Sequence, residues 1–330
     1  MAAPPPAHAA PHQLVQDESY FLRLPNMAKD KTPLRVGVIL PFSNSSPATR
    51  NLAAAMMKAA ELALYDSGSR DIVLMTADDS AKPEEAANAA RKAGIPWVLD
   101  MAEHYPAGMR SWKRYNTNPL LNLLVSTLRV PDLIERKGVS RADGILVVCE
   151  EQKDRLRRQY QIPSERIEII FNTPNRTRFI NIPDKLRNPF DVQFGYHGMI
   201  SQDRDLITVL RGFDIAAGKH PSIKLDIAGF GESESDLRKE IATLRHSDRI
   251  TMSGPFTHAD VDRLYTGIDF GICCCELSEF SENAIANKYF DYAACGRPFL
   301  FTEQGPMIRL MEHIRCGIAY RGGDPEAAAK

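Results

Sequence analysis

No apolar run in the sequence approaches the roughly 18 residues that a bilayer span needs, so an integral membrane protein is not expected. Residues 1–13 have no basic stretch followed by an apolar one, so a secretory signal is not expected either. A formal net charge of only −1 gives no reason to expect nucleic-acid binding. None of the six cysteines lies in a C-x-x-C pair with partner histidines, so no zinc site is indicated. These absences together predict a cytoplasmic protein.

Strands and helices alternate along the whole sequence, which at 330 residues is long enough for two domains. The alternation predicts an α/β fold of two Rossmann-like, doubly wound domains with parallel sheets. The predicted domains are 33–180 and 190–330, and a stretch rich in Pro, Asn and charge at 172–191 predicts the linker. Residues 1–32 begin with a Pro- and Ala-rich segment and are predicted to be a disordered tail.

The first helices are predicted from apolar spacing. One helix is expected at about 49–65, with a buried face that includes Leu52 and Met56, and a second at 83–92. The last one is predicted at Asp324, which is typical of a helix N-cap and is followed by proline. Only a few residues follow it, so the chain is expected to be truncated inside this element.

The strongest candidate site is the segment 281–298, SENAIANKYFDYAACGRP. Ser281 or Asn283 is expected to cap a helix, and Gly296 is expected to end it because glycine suits the left-handed residue after a helix. The helix follows a strand, so its free N–H groups would form an anion site at the end of the sheet.

Four further residues of the second domain are candidates for ligand contact. Asp291 could accept hydrogen bonds from a sugar hydroxyl, whereas Lys288 could lie near a phosphate or be a solvated surface lysine. The strand VQFGYHG ends in a glycine turn at Gly198. Arg204 opens the next predicted helix and could meet a diphosphate there, or could pair with a neighbouring aspartate.

The first domain offers one candidate site of its own, just past the strand PWVLDM. Glu103 and His104 lie there, at the end of the sheet where ligands of such folds bind. His104 could donate to a sugar hydroxyl or a phosphate oxygen, or it could be structural. Elsewhere, the run Cys273–Cys275 in FGICCC is expected to be a set of small buried side chains.

In order and spacing, several segments between residues 94 and 320 resemble retaining GT-B glycosyltransferases, a large nucleotide-sugar-dependent family that includes bacterial surface-polysaccharide enzymes. The segments are PWVLDMAEHYP, ERKGVSRADGILVVCEEQKDRL, IEIIFNTPN, YHGMISQDRDLITVLRGF, KLDIAGFGE, ITMSGPFTHADVDRLYTGIDFGICC and ANKYFDYAACGRP. The resemblance implies transfer of a sugar, with retention, from a nucleoside-diphosphate sugar to a saccharide or lipid-linked acceptor. It implies no metal or other cofactor and no nucleic-acid partner. Peripheral association with the inner face of the membrane is left open.

The same resemblance assigns roles to the candidate residues. It places the donor on five residues of the second domain: Gly198, Arg204, Asn283, Lys288 and Asp291. Asn283 and Asp291 match a pair of donor-binding carboxylates eight residues apart, with the first acid replaced by an amide and the second shortened. His104 corresponds to the family's cleft histidine and Glu103 to an acidic neighbour, and these two are the candidate catalytic residues.

Residues 33–92 are instead similar to the first lobe of periplasmic-binding-protein-like proteins, closest in type to the penicillin-binding-protein activators. The glycine-rich loop expected after the first transferase strand is replaced by PFSNSS. The sequence therefore predicts an atypical, hybrid N-terminal lobe. Two alternatives to an active transferase stay open: a non-catalytic ligand-binding module and an inactive hybrid.

Overall fold

The computed structural model describes residues 15–17, 21–24, 32–78, 96–174, 182 and 191–330. The predicted helix at 83–92 and most of the predicted linker at 172–191 lie outside these residues. The chain divides into two compact units, Met1–Leu99 with Lys137–Gly144, and Asp100–Arg136 with Ile145–Lys330. The predicted division places residues 100–136 in the first domain, whereas in the structure they group with the second half of the chain.

The first unit is built on a four-stranded sheet. Its strands are β1 (Val15–Asp17), β2 (Phe21–Arg23), β3 (Leu34–Leu40) and β4 (Ile72–Asp78), with helix α1 (Pro47–Ser67) between β3 and β4. The strand order is β1-β2-β4-β3, in which β3 and β4 are parallel and the other two pairs antiparallel. The Ser46 hydroxyl caps α1 by accepting from the Thr49 N–H, and Gly68 ends it at a φ of 59°.

The predicted buried face of α1 is wrong by one residue. Leu52 and Met56 are 61% and 50% exposed, while Ala53, Met57 and Leu64 are buried. Both sets have helical spacing, so periodicity alone does not distinguish them. The sheet selects the face that carries Leu64, which packs with side chains of β3 and β4.

The predicted disordered tail at 1–32 is wrong at two short strands. Strands β1 and β2 pair with each other, and β2 extends the sheet along β4, with Leu22 opposite Leu74. Leu24 is 3% exposed and belongs to the core of this unit. These apolar residues follow the Pro- and Ala-rich start, and their burial offsets the entropy of ordering the segment.

A three-stranded sheet in the order β5-β6-β7 follows, with β6 and β7 parallel. The strands are β5 (Val98–Met101), β6 (Gly144–Val147) and β7 (Ile167–Ile169). The helices are α2 (Tyr105–Ser111), α3 (Lys113–Asn116), α4 (Pro119–Asn122), a π-helical turn (Leu123–Thr127), α5 (Val130–Arg141) and α6 (Glu150–Tyr160). Arg129 has a φ of 52°, which separates the π-helical turn from α5.

The third sheet lies within the second unit and has six strands in the order β10-β9-β8-β11-β12-β13, with every pair parallel. Its strands are β8 (Val192–His197), β9 (Ile223–Ala228), β10 (Ile250–Gly254), β11 (Phe270–Cys273), β12 (Phe299–Thr302) and β13 (Gly317–Tyr320). Its helices are α7 (Leu206–Lys219), α8 (Glu234–Thr243), α9 (Val261–Thr266), α10 (Asn287–Ala294), α11 (Gly305–Ile314) and α12 (Pro325–Ala328). The predicted α/β fold with parallel sheets is confirmed.

Helices cover both faces of this sheet, as a doubly wound domain requires. Successive strand residues enter different cores: Ile272 packs with side chains of α7 and α8, and Cys273 with side chains of α9, α10 and α11. Five of the six cysteines are buried and all six are free, so the predicted burial of Cys273–Cys275 is confirmed. Within the described residues, no helix is long and apolar enough to cross a membrane.

Candidate active site

A cleft of about 510 Å³ opens in the second unit at the carboxyl ends of β8 and β11. The residues that follow these strands and the first turn of α10 line it, together with the loop after β5. Ligands of parallel α/β sheets bind at this end of the strands. All the lining residues belong to the same compact unit.

Two glycine turns shape the floor of the cleft. Gly198 and Gly229 follow β8 and β9 with φ of 152° and 154°, a conformation that other residues rarely adopt. A Cβ on Gly229 would lie 1.8 Å from the Gly198 carbonyl oxygen, so the two turns touch through their backbones. This contact holds the chain between Gly198 and Arg204 beside the sheet.

Two predicted cations, Lys288 and Arg204, line the cleft. The Lys288 Nζ lies 3.9 Å from the centre of the Tyr196 ring and 3.0 Å from where a Cβ of Gly198 would be. Burial, together with the neighbouring Arg204 guanidinium, lowers the pKa of Lys288 to about 8. Lys288 is therefore directed inward to the sheet end and is not a solvated surface lysine.

Arg204 sits in a short 3-10 turn, Gln202–Arg204, and the next helix begins after it at Leu206. Its side chain is 24% exposed, and Nη2 lies 3.7 Å from Asp203 Oδ2. This distance leaves the guanidinium with donors for a ligand in the cleft, so the pairing with Asp203 and the contact with an anion are compatible.

The predicted start of the helix that follows β11 is wrong. Ser281–Asn283 form a 3-10 turn, and α10 begins at Asn287 with Ala286 as an N-cap that has no side-chain hydrogen bond. The Ser281 hydroxyl instead donates to the Glu276 carbonyl at 2.8 Å. The Asn283 amide donates to the Glu279 carbonyl at 2.8 Å. Both side chains are used to fold the loop before α10.

The two residues that the resemblance pairs for donor binding are therefore separated. Asn283 is 8% exposed and does not line the cleft, whereas Asp291 lines it. The Tyr265 hydroxyl donates to Asp291 Oδ2 at 3.3 Å, which orients the carboxylate. Gly296 has a φ of 65° after the helix, as predicted.

Glu103 lines the cleft but His104, the other candidate catalytic residue, does not. Burial raises the pKa of Glu103, although the Arg204 cation opposes the shift. His104 is 0% exposed, its Nδ1 lies 3.9 Å from Glu279 Oε1, and neither ring nitrogen has a hydrogen-bond partner among the described residues. Burial, with a contribution from the Arg155 cation, lowers the pKa of His104 to about 4, so the ring is neutral at ordinary pH. His104 is the N-cap residue of α2 and does not line this cleft, and its catalytic role stays a prediction.

His197 is a cleft residue that the sequence reasoning did not single out, although it lies in the quoted motif GYHG. The side chain is 3% exposed, and neither ring nitrogen has a hydrogen-bond partner among the described residues. Its ring centre lies 5.0 Å from that of Tyr265. Burial, with a contribution from the Lys288 cation, lowers the pKa of His197 to about 3. The cleft thus contains a neutral imidazole with free hydrogen-bonding capacity.

The loop between β11 and α10 is held by contacts from several elements. The Arg110 guanidinium donates at 2.8 Å to Asp132 Oδ2 and at 2.8 Å to Glu279 Oε2. The Gln304 amide donates to the Ala284 carbonyl at 2.6 Å. The loop is therefore fixed before any ligand binds, which reduces the entropy that binding must overcome. Among the described residues, no group of three or more His, Cys, Asp or Glu side chains is arranged to hold a metal ion.

Two protein-family models match the sequence. A glycosyl transferase 4-like domain matches residues 31–173, and glycosyl transferases group 1 matches residues 192–330. The first model spans the segment 33–92, so the predicted resemblance of that segment to periplasmic-binding-protein-like proteins gains no support and stays a prediction. No curated protein matches the sequence.

Several solved structures are similar to this one. HepE from Anabaena, solved in complex with UDP and glucose, has 17% sequence identity and a TM-score of 0.55, and the match covers 84% of this chain and 70% of that chain. A sucrose-phosphate synthase from Thermosynechococcus elongatus has 13% identity and a TM-score of 0.55, with coverage of 79% and 73%. A glycosyltransferase from Rickettsia africae has 15% identity and a TM-score of 0.52, with coverage of 91% and 86%. At these identities the likeness shows a shared fold.

Proposed function

The chain belongs to the glycosyltransferases and has the GT-B fold, and from this premise we propose that it transfers a sugar from a nucleoside-diphosphate sugar to an acceptor. One observation carries the proposal: a single cleft at the end of a parallel sheet contains two inward-facing cations, Arg204 and Lys288, with a carboxylate, Asp291, one turn further along α10. Two cations and a hydrogen-bond acceptor in one cleft suit a diphosphate joined to a ribose.

Each side chain has a proposed contact. Arg204 and Lys288 neutralise the diphosphate, and the Gly198 turn gives it room to approach the backbone. Asp291 accepts hydrogen bonds from the ribose hydroxyls. Fixed cations in a partly buried cleft also stabilise the charge that develops on the leaving diphosphate, so the proposed reaction requires no metal or other cofactor.

The sugar and acceptor side of the cleft is proposed to involve Glu103 and His197. Glu103 has a raised pKa and lines the cleft, so it is suited to accept a hydrogen bond or a proton from a hydroxyl group. Both ring nitrogens of His197 lack a hydrogen-bond partner among the described residues, and a sugar hydroxyl or phosphate oxygen would supply one. A catalytic role for His104 is not favoured by its burial outside the cleft.

The finer points of the proposal rest on the resemblance of the sequence motifs. They are retention of the anomeric configuration, a saccharide or lipid-linked acceptor, and a role in cell-surface polysaccharide synthesis. The proposed location is the cytoplasm, with peripheral association at the inner face of the membrane.

Calorimetric titration with UDP, GDP and ADP tests the donor site. Arg204→Ala removes one charge-assisted contact, so the affinity for the best nucleotide should fall about 10- to 150-fold. Arg238→Ala is the matched control, because Arg238 is a surface arginine of the same unit that pairs with Glu234 at 2.8 Å. The assignment would be contradicted if the unsubstituted protein bound no nucleotide, or if Arg204→Ala and Arg238→Ala had equal affinities.

A further inference from the structure

We propose that an exposed leucine-rich surface of the second unit docks on an anionic lipid bilayer. The surface is formed by seven large apolar side chains of α4, the π-helical turn and α5: Leu120, Leu121, Leu123, Leu124, Leu128, Leu133 and Ile134. We call it the leucine surface. The inference gives the proposed membrane association a site and a lipid chemistry, and it does not depend on the proposed donor site.

The leucine surface is unusual for the number of exposed apolar side chains in one short segment. Its members are between 36% and 64% exposed, and Leu120 and Leu133 are the most exposed of them at 64% and 60%. Single exposed leucines are common on proteins, but several in one short segment mark a place where another apolar phase is bound. Of the apolar residues in the π-helical turn, Val125 alone is buried.

The charges on this segment favour an anionic partner. Residues 110–136 contain five Lys and Arg and two Asp and Glu, in a chain whose formal net charge is −1. Both acids point inward. Asp132 is 7% exposed and pairs with Arg110 and Arg129, and the Glu135 side chain is 7% exposed and pairs with Arg155 at 2.5 Å.

Among the described side chains of this segment, the charged groups that remain exposed are therefore cations. Lys113 and Arg136 are exposed, and Arg129 is 52% exposed although it pairs with Asp132. Leu133 and Arg136 are three residues apart on α5, so they lie on the same face of the helix. Leucines beside lysine and arginine, with no exposed carboxylate in residues 110–136, fit the interface of a bilayer that contains anionic lipid.

The π-helical turn of the leucine surface contacts α2, and α2 begins at Tyr105, which lines the cleft. The ring centre of Trp112 lies 6.4 Å from that of Tyr105 and 5.9 Å from that of Phe280, and both partners line the cleft. Lys113 and α3 follow directly after Trp112. A protein docked by this surface would hold the cleft near the lipid headgroups, where an amphiphilic acceptor is available.

Co-sedimentation of the full chain with vesicles tests the proposal. Vesicles of phosphatidylcholine are compared with vesicles that contain phosphatidylglycerol as well, and binding is expected to the anionic vesicles and to weaken at high salt. The combined variant Leu120→Ser, Leu128→Ser, Leu133→Ser should bind about 100-fold more weakly, at about a factor of five for each leucine removed from the apolar phase. The control variant Leu52→Ser, Leu62→Ser, Ile318→Ser changes side chains that are 61%, 58% and 67% exposed elsewhere, and should bind like the unsubstituted protein.

Charge is tested separately with Lys113→Gln combined with Arg136→Gln. Each cation near an anionic surface is worth about a factor of five, so this variant should lose about 25-fold on anionic vesicles. Thermal unfolding of every variant should match that of the unsubstituted protein, because the altered side chains are exposed. Nucleotide titration of the leucine variant should be unchanged, so a failure of the donor site is seen independently of a failure of lipid binding.

Three results would overturn the proposal. They are absence of binding to anionic vesicles, equal loss in the control variant, and concentration-dependent dimers that dissociate in the leucine variant while no vesicle binding is seen. The last would show that a second copy of the chain covers the surface.

Discussion

The pKa of Lys288 gives the proposed donor site a pH dependence that can be calculated. Burial and the Arg204 cation hold the pKa of this lysine at about 8 in the unliganded protein. A diphosphate placed between Arg204 and Lys288 favours the charged lysine and raises its pKa. Binding above pH 8 must therefore be accompanied by uptake of a proton, and the affinity must fall as the pH rises.

The expected size of the effect follows from the fraction of protein that is already protonated. With a pKa of about 8, about 90% of Lys288 is charged at pH 7 and about 9% at pH 9. The dissociation constant for UDP should therefore increase about 10-fold between these pH values. Arg204 stays charged throughout, and a terminal phosphate with a pKa of about 6 gains charge rather than losing it, so neither group produces this trend.

Calorimetry at pH 7, 8 and 9 at constant ionic strength measures the trend, and repetition in buffers of different ionisation enthalpy detects the proton uptake. Lys288→Met should bind UDP about 10- to 150-fold more weakly at pH 7 and show no such slope. Lys288→Arg should retain its affinity for UDP at all three pH values, because arginine stays charged. Lys224→Met, which alters a surface lysine paired with Asp191 at 2.8 Å, is the control. A 10-fold loss of UDP affinity between pH 7 and pH 9 that persists in Lys288→Met would refute the reasoning.

The same residue should affect stability with the opposite sign. Its pKa is about 8 in the folded protein and 10.5 for an ordinary lysine, so the unfolded chain binds more protons between these values. The free energy of unfolding contributed by Lys288 should rise with pH across this window, relative to Lys288→Met.

Two further predictions concern the other side of the cleft and its floor. Asp291→Asn should weaken binding of UDP more than binding of its 2′,3′-dideoxy analogue, and equal losses in calorimetry would show that Asp291 supports the fold rather than the ribose. Gly229→Ala should lower the free energy of unfolding by about 3 kcal/mol, since the new Cβ meets the Gly198 carbonyl and the left-handed backbone is strained. Gly254→Ala, at a φ of 78° with no heavy atom within 4 Å of the new Cβ, should lower the free energy of unfolding by only about 1 kcal/mol. Denaturant titration of both variants measures the difference.

The local features of the fold were accessible from the sequence. Alternating strand and helix patterns predicted the parallel sheet of the second unit, and Gly296 marked the end of α10 because its backbone conformation is a property of one residue. Lys288 and Asp291, three residues apart, were predicted on one helix near the cleft for the same reason: helical spacing places them on one face.

The features that were missed depend on which neighbouring group each side chain contacts in the folded protein. Periodicity allowed two faces of α1, and packing against β3 and β4 selected the one with Leu64. Ser281 and Asn283 have the chemistry of helix caps, but in the structure they donate hydrogen bonds to the carbonyl groups of Glu276 and Glu279 in the preceding loop. His104 and His197 are equivalent as residue types, yet one is buried at the N-cap of α2 and the other lines the cleft.

The amino-acid sequence by itself determined the α/β class, the positions of most strands and helices, and the presence of cations and carboxylates at strand ends. Tertiary structure alone decided which of those groups converge. Lys288 has a lowered pKa because Arg204, distant in sequence, is brought beside it and water is excluded from around it. The carboxylates of Asp132 and Glu135 are buried because Arg110 and Arg155 bind them from other helices. Backbone preference is local and can be read along the chain, whereas burial and electrostatic fields are sums over neighbours that only the folded chain defines.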